Sequence, residues 1–312
     1  MSKVYLVTGG AGFIGSHLVE RLLSDGCAVR VFDNFMTGKR KNLASFLPDI
    51  ELVEGDVRDL AFLGQAMRNV EVVFHQAAVP SVPRSVKDPL TTNSVNVEGT
   101  LNVLIASRDA GVRRVVYASS SSTYGNSPSL PKREDMAPEP RSPYAVSKLA
   151  GENYCRAFHT VYGMETVSLR YFNVYGPRQD PESEYAAAIP RFITALFQGR
   201  SPTIFGDGEQ SRDFTFIGNV VDANLLAAKT DRGVGEVFNI ACGERLTLNQ
   251  LVATLSEITQ IAVHPTHAPA RLGDVLHSFA DISKAREMLG YAPRARAHEG
   301  LRETVDWYRH AR

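Results

Sequence analysis

Glycines at positions 9, 12 and 15, directly after an apolar run, narrow the folds open to this chain more than any other feature. Val4-Tyr5-Leu6-Val7-Thr8 has strand character, and Leu18, Val19, Leu22 and Leu23 follow with helical spacing. Strand, glycine turn and helix in this order make a phosphate cradle. Gly9 permits the tight turn, Gly12 lets the backbone approach a pyrophosphate, and Gly15 lets the helix pack on the strand. The first helical amides, with Phe13 and Ile14 among them, then point at the anion.

A second strand, Ala28 to Phe32, ends in Asp33, with Asn34 beside it. An acid at that tip accepts hydrogen bonds from a ribose diol and repels a 2′-phosphate, which favours NAD over NADP. Lys39 and Arg40 lie a few residues on and leave NADP open. Ile50 to Asp56 alternates as a strand, and Asp56 and Val57 sit where a strand tip could reach an adenine edge. A plain turn aspartate accounts for the same letters. Val70 to His75 reads as a short buried strand, and Ala77 and Ala78 after it suit close backbone approach to a cofactor. Asn93 to Ala110 reads as one long helix, with Asn96 near its apolar face and so in need of a dedicated partner.

The 312 residues suffice for one large or two moderate domains, and 44% hydrophobic with 22% charged residues is the make-up of a globular protein. Thirty-four basic residues balance thirty-four acidic ones, so charge argues for neither a nucleic acid nor a membrane partner. Cys27, Cys155 and Cys242 are scattered and read as small hydrophobes in a reducing compartment. His264 and His267 have no cysteine cluster near them, so no metal site is expected. The N-terminus runs straight into a strand and no apolar run reaches ~20 residues, which predicts a cytoplasmic protein.

Arg114 to Ala118 is a buried strand that opens into hydroxyls, Ser119, Ser120, Ser121 and Ser122. In doubly wound sheets that end of a strand binds ligands. After a proline-bearing loop, Ser142 and Pro143 open a helix carrying Tyr144 and Lys148 one turn apart on one face. A packed tyrosine beside a solvated lysine is the plain reading. Chemically, an ammonium near a phenol lowers its pKa and makes it a usable base near neutrality.

The glycine turn, the serine strand end and Tyr144-x-x-x-Lys148 together resemble the extended short-chain dehydrogenase/reductase superfamily. Within it the chain resembles the UDP-glucose/UDP-N-acetylglucosamine 4-epimerases, from Lys3 to about Arg302. The resemblance implies that Tyr144 takes the proton of the sugar 4-hydroxyl. Lys148 would tune that tyrosine and bind the nicotinamide ribose. Ser120 would be the catalytic hydroxyl, with Ser121 and Ser122 supporting it. Ser119, Asn96 and Tyr171 would join the cofactor pocket, and Asn173 would contact the substrate diphosphate. Ala188 and Ile189 match a UDP-contacting helix start, Phe205 the uracil pocket, Arg212 and Arg271 phosphate clamps, and Asp274 a ribose partner. Dehydratases and UDP-glucuronate decarboxylases of the superfamily carry a carboxylate after the strand-end hydroxyl. Here Ser121 and Ser122 stand there, and epimerisation needs no such base.

The resulting expectation is an α/β protein: a doubly wound parallel (Rossmann) sheet over residues 1–172, segments returning to it near 213–243, and a smaller α/β UDP-sugar unit over 173–312. Phe214-Thr215-Phe216 and Val237 to Ile240 are the expected returning strands. NAD is the expected cofactor, a UDP-hexose the substrate, and a homodimer through the helices after the serine strand and after Tyr144 the assembly. A UDP-glucuronate 4-epimerase and a non-catalytic nucleotide sensor remain the alternatives. Ser278 aligns with the residue beside the hexose 2-substituent, where a small side chain leaves room for an N-acetyl group. A Ser278→Tyr variant is therefore expected to lose turnover of UDP-GlcNAc and UDP-GalNAc while keeping that of UDP-Glc and UDP-Gal; full retention on the N-acetylated pair overturns the assignment.

Overall fold

The computed structural model describes residues 3–181, 187–269 and 276–310. Seven strands form the central sheet: β1 (Val4–Thr8), β2 (Ala28–Asp33), β3 (Ile50–Glu54), β4 (Val70–His75), β5 (Arg114–Ser120), β6 (Glu165–Tyr171) and, far along the chain, Val237–Ile240. Every pairing is parallel, and the order reverses between β1 and β4, which lie side by side with β2 and β3 beyond β1. Such a reversal opens a crevice at the carboxyl ends of the strands.

Side chains of a strand alternate between faces, and here they feed two separate cores. Val7, Val31, Phe74, Val116 and Leu169 belong to one. Leu6, Phe32, Val73, Val115 and Tyr117 belong to the other. Helix α1 (Phe13–Ser24) packs on the first face. On the second lie α2 (Leu60–Ala66), α3 (Val82–Lys87), α4 (Pro89–Asn93), α5 (Gly99–Asp109) and α6 (Pro143–Tyr162). The expected single helix over residues 93–110 is broken. A π-helical turn at Ser94–Glu98 joins α4 to α5 and carries Asn96.

The serine strand runs into a 3-10 turn and a long loop, and α6, which holds Tyr144, is the next α-helix. The two helices expected for dimer contact, after the serine strand and after Tyr144, are thus one helix.

Downstream come β7 (Val174–Tyr175), α7 (Ala188–Phe197), β8 (Thr203–Phe205), β9 (Ser211–Arg212) and β10 (Thr215–Phe216). Helix α8 (Ile217–Lys229) then returns to pack against α1, and β11 (Val237–Ile240) adds to the sheet beside β6. Of the two segments expected to return, only β11 joins the main sheet. β10 pairs with β7 in a two-stranded ribbon instead. The chain closes with β12 (Leu246–Thr247), α9 (Leu248–Thr259), β13 (Thr266–Ala268), α10 (Ser283–Leu289) and α11 (Ala297–His310). The three cysteines are unpaired, with Cys155 buried and the others partly so. Among the described residues no helix is long and apolar enough to cross a membrane.

Candidate active site

A cavity of about 720 Å³ opens at the carboxyl edge of the sheet. Its floor is the glycine turn. Gly9 takes φ +69°, and a Cβ there would lie 2.7 Å from the Ala77 amide nitrogen. At Gly15 it would lie 2.2 Å from the Gly9 carbonyl oxygen, so the helix could not sit so close to the turn with any side chain. Gly12 starts α1 with no side-chain cap, which leaves the first-turn amides of Phe13, Ile14 and Gly15 unclaimed by side chains where these residues line the cavity. A helix start of this kind favours an anion.

Asp33 and Asn34 line the same cavity. Asp33 is held by the amides of Ala11 (2.9 Å to Oδ2) and Phe35 (2.8 Å to Oδ1), while burial pushes its pKa up. Lys39 pairs with Asp180 at 2.5 Å. Arg40 lies 4.0 Å over the Phe35 ring and pairs with Glu54. Both bases that left NADP open therefore have partners, and the acid at the strand tip fits a ribose diol.

The far wall is Ala77, Ala78 and Val57. Asp56 is not part of it: its carboxylate takes Arg58 at 2.9 and 2.7 Å and Asn34 at 2.8 Å, which hold it down to about 2. Asn96 also stands behind the wall. Its amide clasps Val79, accepting from the amide nitrogen (2.7 Å) and donating to the carbonyl (3.1 Å), and it donates to Ser147 at 3.0 Å. It shapes the cavity through Val79, which lines it.

Tyr144, Lys148, Ser119 and Tyr171 meet at the inner end of the cavity. Pro143 in the first turn and Ser142, which accepts from the Ala145 amide at 3.1 Å, start α6 so that Tyr144 faces the strand end. The Tyr144 hydroxyl lies near the Ser120 hydroxyl. Burial raises the Tyr144 pKa and the nearby Ser120 hydroxyl opposes it, so the lowering expected from Lys148 is not what the geometry gives. The reason is placement: Lys148 Nζ donates to the Ala118 carbonyl at 2.8 Å and stands 6.0 Å from the Tyr144 ring centre. Burial drops the lysine to about 8, with the Glu152 charge opposing. Ser122 bonds to Ser120 through both amide and hydroxyl, and Ser121 begins the same 3-10 turn. Tyr171 sits opposite Ser120 in the ladder, its hydroxyl taking bonds from Asn224 (2.8 Å) and Gln76 (3.1 Å).

A second cavity, of about 270 Å³, gathers Asn173, Ala188, Ile189, Phe205 and Arg212. Asn173 adopts φ +35° and donates from Nδ2 to the Asp213 carbonyl at 3.1 Å. Ser278 lies outside this lining; its amide bonds to Ser211, the neighbour of Arg212, at 3.0 Å. Arg271 and Asp274 lie outside the described residues.

Several residues here escaped the sequence reading. His75 is buried between the Thr8 and Thr100 hydroxyls (2.7 and 2.9 Å) and is pushed down to about 3, hence neutral. Gln210 lines the second cavity, is 8% exposed, and its Oε1 has no partner. Gln76 directly follows β4, so its place at a strand tip was available as a signal. Gln210 offered none.

The doubly wound sheet, the uncapped helix over three glycines and the tyrosine, lysine and serine at one strand end define a nicotinamide-dinucleotide enzyme. The chain belongs to the NAD dependent epimerase/dehydratase family, which residues 5–241 match. It is 42% identical over 308 residues to the UDP-glucose 4-epimerase of Mycolicibacterium smegmatis, covering 97% of this chain and 98% of that protein. Among solved structures it is similar to the UDP-N-acetylglucosamine 4-epimerase of Methanobrevibacter ruminantium in complex with UDP-N-acetylmuramic acid, with 40% identity, TM-score 0.95, and 100% and 99% of the two chains covered. The UDP-glucose 4-epimerase of Thermus thermophilus in complex with NAD is similar at 38% identity, TM-score 0.89, and 99% and 100% coverage.

The cradle yields a direct prediction. Gly15→Ala sets a methyl against the Gly9 carbonyl and must lift α1 off the turn. The purified variant should retain less than about a tenth of the NAD that the parent carries, a loss of at least ~1.4 kcal/mol in cofactor affinity. Equal NAD content by absorbance and extraction would refute this account of the cradle.

Proposed function

We propose that this protein is an NAD-dependent 4-epimerase of UDP-hexoses, interconverting UDP-Glc with UDP-Gal and UDP-GlcNAc with UDP-GalNAc through a transient 4-keto sugar. One observation carries the reading: Tyr144, near the Ser120 hydroxyl, lines the glycine-floored cavity together with Lys148, and serines rather than carboxylates follow at 121 and 122. A group that lends and retrieves a proton at one oxygen suffices for epimerisation. Elimination of water needs a second base, and the strand end supplies none.

Gly9, Gly12, Gly15 and Asp33 would hold the dinucleotide, which when bound supplies a reversible acceptor for the hydride at sugar C4. Tyr144 takes the O4 proton as the 4-keto sugar forms and returns it when O4 is regenerated on the opposite configuration. Ser120 would donate to the same sugar oxygen and steady it during transfer. Lys148, which borders the same cavity, would hold the nicotinamide ribose. The nucleotide end of the substrate suits the second cavity. There Arg212 presents a planar fork to a diphosphate, and Asn173 adds an amide donor. With UDP held there, the keto sugar can turn about its diphosphate link and offer its other face to the same tyrosine. Arg271, Asp274 and Ser278 belong to this proposal as second clamp, ribose partner and hexose-pocket residue.

We further infer a cytoplasmic homodimer. Val86 on α3 (65% exposed) and Leu90 on α4 (83% exposed) are apolar side chains left uncovered on helices that pack on α6, and a second copy of the chain is the occupant proposed there.

Purified protein given UDP-Glc, UDP-GlcNAc or UDP-GlcA, without added NAD, should produce the C4 epimer from the first two; turnover of UDP-GlcA alone would replace the reading with a uronate epimerase. Tyr144→Phe should lower kcat by roughly 10²–10⁴-fold, and undiminished turnover would end the proposal. Analytical ultracentrifugation should give twice the chain mass, and Leu90→Glu should halve it. A monomeric parent protein sinks the dimer.

A further inference from the structure

Helix α6 meets strand β5 at three successive turns. Tyr144 faces Ser120, Lys148 donates to the Ala118 carbonyl at 2.8 Å, and Glu152 Oε1 accepts from the Ser119 hydroxyl at 2.5 Å. Opposite Ser119 in the ladder stands Arg170, which grips both Glu152 oxygens, Nε at 2.8 Å and Nη2 at 2.7 Å. The two side chains are 3% and 2% exposed. A buried ion pair of this kind is weak evidence for stability, since desolvation offsets its attraction, so its presence under a reactive centre asks for another reason.

We propose that Glu152, locked by Arg170, is a positioning residue for the reaction: it holds Ser119 and thereby the Ala118 carbonyl and Ser120 in register with Lys148 and Tyr144. The inference rests on the reading of Tyr144 as the proton-transfer group. The three grips come from successive turns of the helix and fall on strand residues 120, 118 and 119, so loss of the Glu152 grip frees Ser119, which lies between the other two on the strand. The pair is braced from the far side as well. Arg170 lies 4.6 Å from the Tyr124 ring centre, and the Tyr124 hydroxyl donates to Asn239 Oδ1 at 2.7 Å. Asn239 is the residue opposite Arg170 in β11 and donates to the Lys132 and Asp281 carbonyls at 2.9 and 3.1 Å. A row of three polar residues across β5, β6 and β11 therefore ties the serine turn to the chain's later segments.

Glu152 also acts by charge. The groups facing Lys148 are the Tyr144 and Tyr117 rings, His75, Cys155 and Glu152. His75 is neutral, and burial pushes the Cys155 thiol to about 12 and Tyr117 well up. Glu152 is then the one formal negative charge among these groups, and it keeps the buried ammonium protonated against desolvation.

Glu152→Gln removes the charge with the shape kept. Because it leaves Arg170 buried and unpaired, the neutral double variant Glu152→Gln/Arg170→Met is measured beside it. Both should lower kcat at pH 8 about tenfold with KM changed less than about twofold, and move the alkaline limb of kcat down by about one pH unit. The carbon NMR shift of Lys148 Cε, assigned with Lys148→Met, should titrate about one unit lower in the same variants, a readout independent of turnover. Glu152→Asp should restore the lysine titration. A folded variant with an unmoved limb and an unmoved Lys148 titration overturns the proposal. A parent protein inactive on every UDP-hexose, with the lysine titration shifted in the variants, overturns the functional reading instead. Should both charge variants fail to fold, Ser119→Ala decides: a severalfold fall in kcat at constant KM supports the register role, and unchanged kcat refutes it.

Discussion

The seven-residue parallel ladder between β5 and β6, from Arg114 opposite Glu165 to Ser120 opposite Tyr171, is the constraint from which the site follows. Parallel strands end together, so Ser119, Ser120, Arg170 and Tyr171 arrive at one edge in fixed lateral order. Helix α6 lies across that edge and adds Tyr144, Lys148 and Glu152 at intervals of one turn. Without the ladder, neither the hydroxyl cluster nor its buried charges would have a common frame.

Burial gives those groups their chemistry and also limits it. Lys148 is brought down to about 8, His75 to about 3, and the Tyr144 hydroxyl is pushed up. A lysine so poised changes protonation near neutrality, where a small change in its surroundings has a large effect. Water-accessible versions of the same residues would titrate at ordinary values and offer no such leverage. The glycine floor works by the opposite device, since it supplies backbone amides and an open helix end rather than charged side chains.

Much of this was legible in the linear chain. Glycine spacing, an acid at the second strand tip and a tyrosine and lysine one turn apart are local patterns, and local geometry alone dictates what they can do. Asp33, Tyr144 and Lys148 line one cavity at the carboxyl edge of the sheet. Asp56 and Asn96 were harder, because each has a second use for its polar atoms, and only their neighbours decide which is taken. The broken helix at Ser94–Glu98 and the detachment of β10 from the main sheet have the same origin: both are responses to packing and chain length that no short window contains.

The order of residues alone dictated the strand, glycine turn and helix and the tyrosine–lysine pair, since each depends on contacts within a few positions, and their sequence along the chain pointed to the doubly wound class. Folding in three dimensions decided the rest. Glu152 reached Arg170 and Ser119 across separate elements, Gln210 came to the second cavity with an oxygen unpartnered, and Lys148 turned to a strand carbonyl rather than to its phenol. Those outcomes depend on which groups are brought together out of water, and long-range packing settles that.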